Sequence, residues 1–120
     1  MINRELIELQ KGNIATCAVI LNEDCEELDS KVAINGNSND NELLTTFKNI
    51  VGKEDLNYFV IKDIDKIDES LQNRYYHIVK DREFYRYELP KDMIIVLTVN
   101  DREGLKNISQ ELYHFCVVAF

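Results

Sequence analysis

Apolar residues along the chain alternate between helical spacing and continuous runs of strand length. Helices are predicted over Ile2–Gln10, from Asp40 to Gly52, from Asp68 to Val79 and over Ile108–Phe115. Strands are predicted over Thr16–Leu21, Tyr58–Ile61, Met93–Val99 and Cys116–Phe120. Helices that alternate with buried strands in this way are typical of a mainly parallel sheet with helical crossovers. The pattern therefore predicts a single α/β domain, a three-layer α/β/α sandwich around a small sheet.

The two central helices have the clearest apolar faces. Asp40 is expected to cap the first helix and Gly52 to end it. Its apolar residues recur at the spacing of one helix face, and they are Leu43, Phe47, Ile50 and Val51. Asp68 is expected to cap the second helix, whose apolar residues are Leu71, Tyr75, Ile78 and Val79. Each face is typical of a helix that packs on a sheet.

Polar residues separate these elements in three places. Five carboxylates lie between Asn22 and Asp29, and a turn-rich break follows from Asn35 to Asn41. The stretch from Asn22 to Asn41 is therefore predicted to be a loop. The segment Asp81–Pro90 is predicted to be a polar and aromatic connection.

Composition limits the classes of function. The chain has 120 residues and a formal net charge of −8, which fits one domain and disfavours binding to nucleic acids or anionic membranes. No apolar run approaches the length of a membrane helix and no signal sequence is recognised, so we expect a cytoplasmic protein. Three cysteines and two histidines without a Cys-x-x-Cys pair favour free thiols over disulfides or a structural zinc.

A longer pattern covers Asn57 to Phe115. It consists of the strand YFVIKDID, the stretch SLQNRYYHIVKDREFYRYELPKDMIIVLTVND and the phrase NISQELYHF. This succession resembles the second half of an AAA+ ATPase core, most closely that of the MoxR-like branch. The resemblance implies a P-loop NTPase-like fold, here without the helical lid that follows the core in that family.

The resemblance also assigns roles to single positions. Asp63 matches the Walker B aspartate, but Ile64 stands where the catalytic glutamate is expected. Asn100 matches the sensor 1 residue, with Thr98 before it. His114 stands where the family places an arginine finger, and it lacks the charge and planar fork of arginine. Asp63 and Asn100 are therefore interpreted as vestigial catalytic residues.

The phosphate-binding loop that the family requires is missing from the sequence. No G-x-x-x-x-G-K-[ST] string occurs in the chain, and NEDCEELDSK follows the first predicted strand instead. Five carboxylates at this place repel a polyphosphate by about 1 kcal/mol per close pair even in water. We therefore expect a catalytically inactive protein that binds no nucleotide cofactor and no metal.

An inactive AAA+-like domain points to a role in protein interaction. The resemblance implies an AAA+ ATPase or a second copy of the chain as the partner. The aromatic and basic part of the expected surface is Arg82, Phe84, Tyr85, Arg86 and Tyr87. The acidic part is Glu23, Asp24, Glu26 and Glu27.

Three alternatives stay open at this point. A divergent magnesium-dependent NTPase could use Asp63, Asp65 and Asn100, although capping by Asp68 and a solvated strand end explain the aspartates more simply. A product of a phage or mobile element that inhibits a host ATPase is also compatible with size and charge. The aromatic residues from Tyr75 to Tyr87 could stack nucleic-acid bases, but the net charge favours a core edge or a protein contact.

Overall fold

The computed structural model describes residues 18–22, 28–53, 55–90 and 92–119. The strands of this part are β1 (Ala18–Leu21), β2 (Lys31–Asn35), β3 (Tyr58–Lys62), β4 (Glu83–Phe84), β5 (Tyr87–Glu88), β6 (Ile94–Thr98) and β7 (Cys116–Val118). Its helices are α1 (Asp40–Ile50), α2 (Glu69–Asp81) and α3 (Gln110–Tyr113), with 3-10 segments at Ile64–Lys66 and Arg102–Asn107. The predicted helix Ile2–Gln10 and the first two residues of the predicted strand Thr16–Leu21 lie outside the described residues.

Five strands form one sheet in the order β2-β3-β6-β1-β7, and all neighbouring pairs are parallel. Val96 of β6 lies opposite Val19 of β1 on one side and Val60 of β3 on the other. β1 is an interior strand, flanked by β6 and β7. The prediction of an α/β protein with a mainly parallel sheet is confirmed. A separate two-stranded hairpin joins β4 to β5.

The sheet is buried on both faces. The described helices pack on one face, where the sheet contributes residues such as Ile61 and Leu97. The other face buries Val60 and Val96 against Leu28, which lies between β1 and β2. Parallel sheets need such cover on both sides, since their strands are apolar on both faces. This arrangement fits the predicted three-layer sandwich.

The loop predicted from Asn22 to Asn41 is wrong in its second half, because Lys31–Asn35 forms β2. Only Val32 and Ile34 of this strand pack against the core, and Ala33 and Asn35 are exposed. β2 is an edge strand, and its pairing with β3 supplies the stability that its own apolar residues do not.

The predicted cap of α1 is displaced by one residue. Asn39, not Asp40, is the N-cap: its side chain accepts a hydrogen bond from the Glu42 N–H, and the Glu42 side chain accepts one from the Asn39 N–H. This reciprocal capping box satisfies two backbone donors at once, which a cap at Asp40 does not offer. The apolar spacing places Val51 on the buried face, but this residue follows the helix and is 44% exposed.

The predicted cap of α2 is confirmed. The Asp68 carboxylate accepts hydrogen bonds from the Leu71 N–H and the Ser70 hydroxyl, each at 2.9 Å. These bonds, that of Leu71 above all, hold the pKa of Asp68 below its ordinary value. The helix ends at Arg82, whose backbone is left-handed with φ 56°.

Gln72 fixes the approach to α3. It is 1% exposed, and its amide nitrogen donates to the carbonyls of Asn107 at 2.7 Å and Ile67 at 3.1 Å. Its amide oxygen accepts from the Ser109 N–H at 2.6 Å. Ser109 in turn caps α3, which is shorter than the predicted helix Ile108–Phe115. No helix in the described ranges has the length and apolarity needed to cross a membrane.

Candidate functional site

The carboxyl edge of an open parallel sheet binds ligands where the strand order reverses. The chain after β1 passes β6 and β3 to reach β2, whereas the chain after β6 passes β1 in the opposite direction to reach β7. The reversal therefore lies between β1 and β6. Asn22 and Asn100 follow these two strands, and Asp63 follows the neighbouring strand β3.

Asp63 is held in place by its backbone. Its φ of 58° lies in the left-handed region, and its N–H donates to the Thr98 hydroxyl at 3.1 Å. Its carboxylate accepts a hydrogen bond from the Asn35 amide at 3.4 Å and lies 3.6 Å from the Lys66 ammonium. The structure thus brings together Asp63, which the resemblance matches to the Walker B aspartate, and Thr98, which precedes the position matched to sensor 1.

Asp65 and Asp68 serve other parts of the fold. One oxygen of Asp65 is buried without a hydrogen-bond partner, and the other packs so closely on Gly104 that an added Cβ there would lie 2.5 Å away. The prediction that Asp65 lies at a solvated strand end is therefore wrong. Its side chain packs against the 3-10 segment at 102–107. Asp68 caps α2. Across the described residues, no three His, Cys, Asp or Glu side chains are placed to hold a metal ion together.

The residues after β6 and β1 contribute differently. Asn100 is exposed, and Asp101 caps the following 3-10 segment through the Gly104 N–H at 3.2 Å. Residues 22–30, nine in number, connect β1 to β2. Leu28 within this connection is already buried on the sheet, at 3% exposure. The predicted interaction residues Glu23, Asp24, Glu26 and Glu27 lie outside the described residues.

The histidines and the described cysteine have local contacts. His114 is exposed directly after α3, and His77 is exposed with its ring centroid 5.1 Å from that of Tyr76. Cys116 donates a hydrogen bond to the Leu112 carbonyl at 3.2 Å. Cys17 and Cys25 lie outside the described part of the chain.

The hairpin of β4 and β5 has an unusual turn. The connection predicted over Asp81–Pro90 contains it, and its two-residue loop is Tyr85-Arg86. Both loop residues have positive φ, 49° and 72°, which is the signature of a type I′ turn. Such turns favour Asn-Gly, because a left-handed backbone costs other residues about 1–2 kcal/mol each. Tyr85 and Arg86 therefore occupy a turn that their own conformational preferences disfavour.

The inner face of the hairpin holds it against the helices. Phe84 packs on Phe47 of α1 with ring centroids 5.6 Å apart, and the Lys48 ammonium lies 5.9 Å from the Tyr87 ring. The Tyr85 ring contacts the Phe84 ring edge-on at 4.6 Å. Tyr85 is nonetheless 63% exposed, so the tip stands out on an anchored base.

The Arg82 side chain makes hydrogen bonds within the fold rather than forming part of an interaction surface. Its guanidinium donates to the carbonyls of Met93 at 2.6 Å and Pro90 at 2.9 Å, and its own carbonyl accepts from the Leu89 N–H. These bonds join the end of α2 to the start of β6. Of the five residues predicted for the aromatic and basic surface, Arg82, Phe84 and Tyr87 thus make internal contacts, and Tyr85 and Arg86 form the exposed tip.

Arg74 and Tyr75 of α2 also make internal contacts. Arg74 pairs with Asp40 at 2.8 Å, donates to the Ser38 carbonyl at 2.6 Å and reaches the Tyr75 hydroxyl at 2.6 Å. Tyr75 is buried and donates to the Gly36 carbonyl, and this burial raises the pKa of its phenol although the Arg74 charge lowers it. Tyr75 thus lies in the core, as its place on the predicted apolar face of α2 indicated.

The outer surface around the tip is divided by charge. A cleft of about 440 Å³ lies between the end of α1 and β5, and its charged residues are Lys53, Arg86 and Glu88. A second cleft of about 380 Å³ lies on the other side of the hairpin, and its charged residues are Asp81, Glu83 and the ion pair of Asp40 with Arg74. The hairpin tip thus lies between a cleft with an excess of cations, called the basic side, and a cleft with an excess of anions, called the acidic side.

Sequence reasoning missed Glu83 and Glu88, which lie directly opposite each other in the hairpin. Like charges in this position destabilise a strand pair. The mirror-like order Glu-Phe-Tyr-Arg-Tyr-Glu could have indicated a hairpin, but the absence of a turn-forming residue hides it.

Comparison with known proteins gives no family assignment. No protein-family model matches the chain, and no curated protein matches it.

Proposed function

We propose that this chain is a catalytically inactive AAA+-like domain that acts as a protein-interaction module, with the hairpin tip as its contact surface. The observation that carries the proposal is the tip itself. Tyr85 is 63% exposed, and both it and Arg86 adopt left-handed backbone conformations. Tyrosine and arginine are among the residue types that dominate binding energy at protein interfaces. Strain that is kept at an exposed tip is typical of a functional site.

Two features of the sheet support the relation to AAA+ cores. β1 is interior, the place that the first core strand has in that family. Asp63 and Thr98, which the resemblance relates to Walker B and the strand before sensor 1, are joined by a hydrogen bond at 3.1 Å.

The positions that the resemblance matches to catalytic residues lack the side chains and the loop length that nucleotide hydrolysis needs. Ile64, at the position of the catalytic glutamate, is completely buried in the core and cannot activate water. The nine residues from 22 to 30 are too few for a phosphate-binding loop followed by the helix that such loops lead into. His114 has no fixed positive charge with which to replace an arginine finger. These positions together support a domain that does not hydrolyse nucleotides.

The proposed partner is a protein, either an AAA+ ATPase or a second copy of this chain. The net charge of −8 opposes binding to nucleic acid. Arg74 and Arg82 are engaged in internal hydrogen bonds, which leaves Arg86 and Lys53 as the cations that line the cleft beside the tip.

Affinity capture from a lysate, quantified by mass spectrometry, tests the proposal. The informative variants are Tyr85→Ala and Arg86→Glu. Lys106→Glu is the matched control, because it makes the same charge change at an exposed site on the 3-10 segment at 102–107. We expect the wild type and the control to recover the same proteins and both tip variants to lose them. Equal recovery by all four proteins would remove the hairpin from consideration.

A further inference from the structure

We propose that the hairpin tip binds the tip of a second copy of this chain in a two-fold symmetric dimer. This inference rests on the proposed interaction function and names its partner. The described surface around the tip is self-complementary in charge, which favours a contact between two identical tips.

The charges lie on opposite sides of the hairpin. Arg86 and Lys53 line one cleft together with the single carboxylate of Glu88. Glu83 and Asp81 line the other, where the cation Arg74 is paired with Asp40. A two-fold axis that passes through the tip perpendicular to the line between the two clefts exchanges the two sides. It therefore places the basic side of each copy against the acidic side of the other, twice per dimer.

The charged groups beside the tip are available for such pairing. Among the residues that the structure describes, Glu83, Glu88 and Arg86 have no ion-pair partner within the chain. Glu83 and Glu88 lie opposite each other across the two strands of the hairpin. A guanidinium from a second copy would lie near both carboxylates and relieve their repulsion.

Apolar area for the contact lies at the centre of the same surface. The exposed Tyr85 ring would stand at the two-fold axis, where the two tips meet ring to ring. Val51, at 44% exposure, lines the basic cleft together with Leu89 and Pro90. A central aromatic pair surrounded by charge pairs is the usual organisation of a specific interface.

Charge reversal distinguishes this dimer from nonspecific association. Arg86→Glu places a carboxylate opposite Glu83 of the other copy, and Glu83→Arg places a second guanidinium opposite Arg86. Each variant is expected to weaken self-association by about tenfold or more. A mixture of the two variants restores opposite charges at both contacts of the mixed dimer, and the double variant E83R/R86E restores them at both contacts of its own dimer. The double variant is expected to regain the wild-type dimer.

Analytical ultracentrifugation over a wide range of protein concentration gives the readout. The wild type should show a concentration-dependent dimer that weakens as salt is added. Lys106→Glu, which alters the net charge as Arg86→Glu does, should leave it unchanged. Circular dichroism of each variant checks the fold, and Glu83→Arg is expected to keep it because the introduced guanidinium would lie opposite Glu88.

Three results would overturn the dimer: a wild type that stays monomeric throughout, a folded double variant that fails to recover association, or a control that weakens association as much as Arg86→Glu. A monomeric wild type that still captures a protein, and loses it on Arg86→Glu, would refute the symmetric dimer alone. In that case the interaction function stands with a different partner.

Discussion

Single polar side chains decide where the elements of this protein begin and end. Asn39 and Asp68 cap the two long helices, and Gln72 satisfies three backbone groups of the segments around it. A buried amide such as that of Gln72 would cost stability if it lacked these partners. The cap at Asp68 is predictable from an aspartate that precedes an apolar stripe. The contacts of Gln72 with Asn107 and Ser109 are not, because they join residues 35 and 37 positions apart along the chain.

The cap at Asp68 makes the stability of the protein depend on pH. Because its pKa is lowered in the folded protein, its stabilisation is complete above the ordinary value of 3.8 and is lost as the pH falls through the lowered value. Asp68→Asn keeps a capping oxygen but does not titrate. We expect the free energy of unfolding of the wild type to fall more steeply than that of the variant below pH 3.8. Urea denaturation across this range measures both curves, and parallel curves would contradict the assignment.

Among the strands, those that are apolar throughout can be predicted from the sequence. Strands that form only because they pair or pack with other elements cannot. β3 and β6 are continuous apolar runs, so their sequences alone indicate strands. β2 has two core side chains and depends on its pairing with β3. The β4–β5 hairpin depends on packing of Phe84 against α1, and its loop residues oppose the turn that they form. Tertiary contacts overrule local preference at both places.

The turn chemistry of the hairpin yields a second prediction. Replacing Tyr85-Arg86 by Asn-Gly supplies the residues that a type I′ turn prefers. We expect the free energy of unfolding to rise by about 1–2 kcal/mol, because the left-handed strain is removed. Self-association should be lost at the same time, since the exposed ring and the cation are gone. Urea denaturation and ultracentrifugation of the same sample measure the two effects.

A variant that is no more stable than the wild type would show that the tip carries no strain. A variant that is more stable and still associates normally would place the contact elsewhere. The matched control is Tyr113→Asn, which removes another exposed tyrosine ring, on α3, and leaves the tip unchanged. That control is expected to keep the wild-type association.

In the molecule as a whole, the carboxyl edge of a parallel sheet is combined with an acidic sequence directly after β1. The order of the strands brings Asp63, Thr98 and Asn100 to one edge. The connection after β1 holds five carboxylates and no glycine, where polyphosphate binding needs backbone amides and a lysine. The parallel sheet can be predicted from the alternation of helices and strands along the sequence. The burial of Ile64 and the contact of Asp65 with Gly104 cannot, because they depend on tertiary packing.

Thermal unfolding with and without nucleotide distinguishes an inactive domain from one that still binds ATP. A ligand present at 100 times its Kd stabilises the folded state by about 2.7 kcal/mol, which a melting curve detects readily. We predict that Tm in ATP with Mg²⁺ equals Tm in Mg²⁺ alone, for the wild type and for Asp63→Asn, a change that the left-handed backbone tolerates. A rise in Tm that ATP causes in the wild type and that Asp63→Asn abolishes would refute the inactive domain.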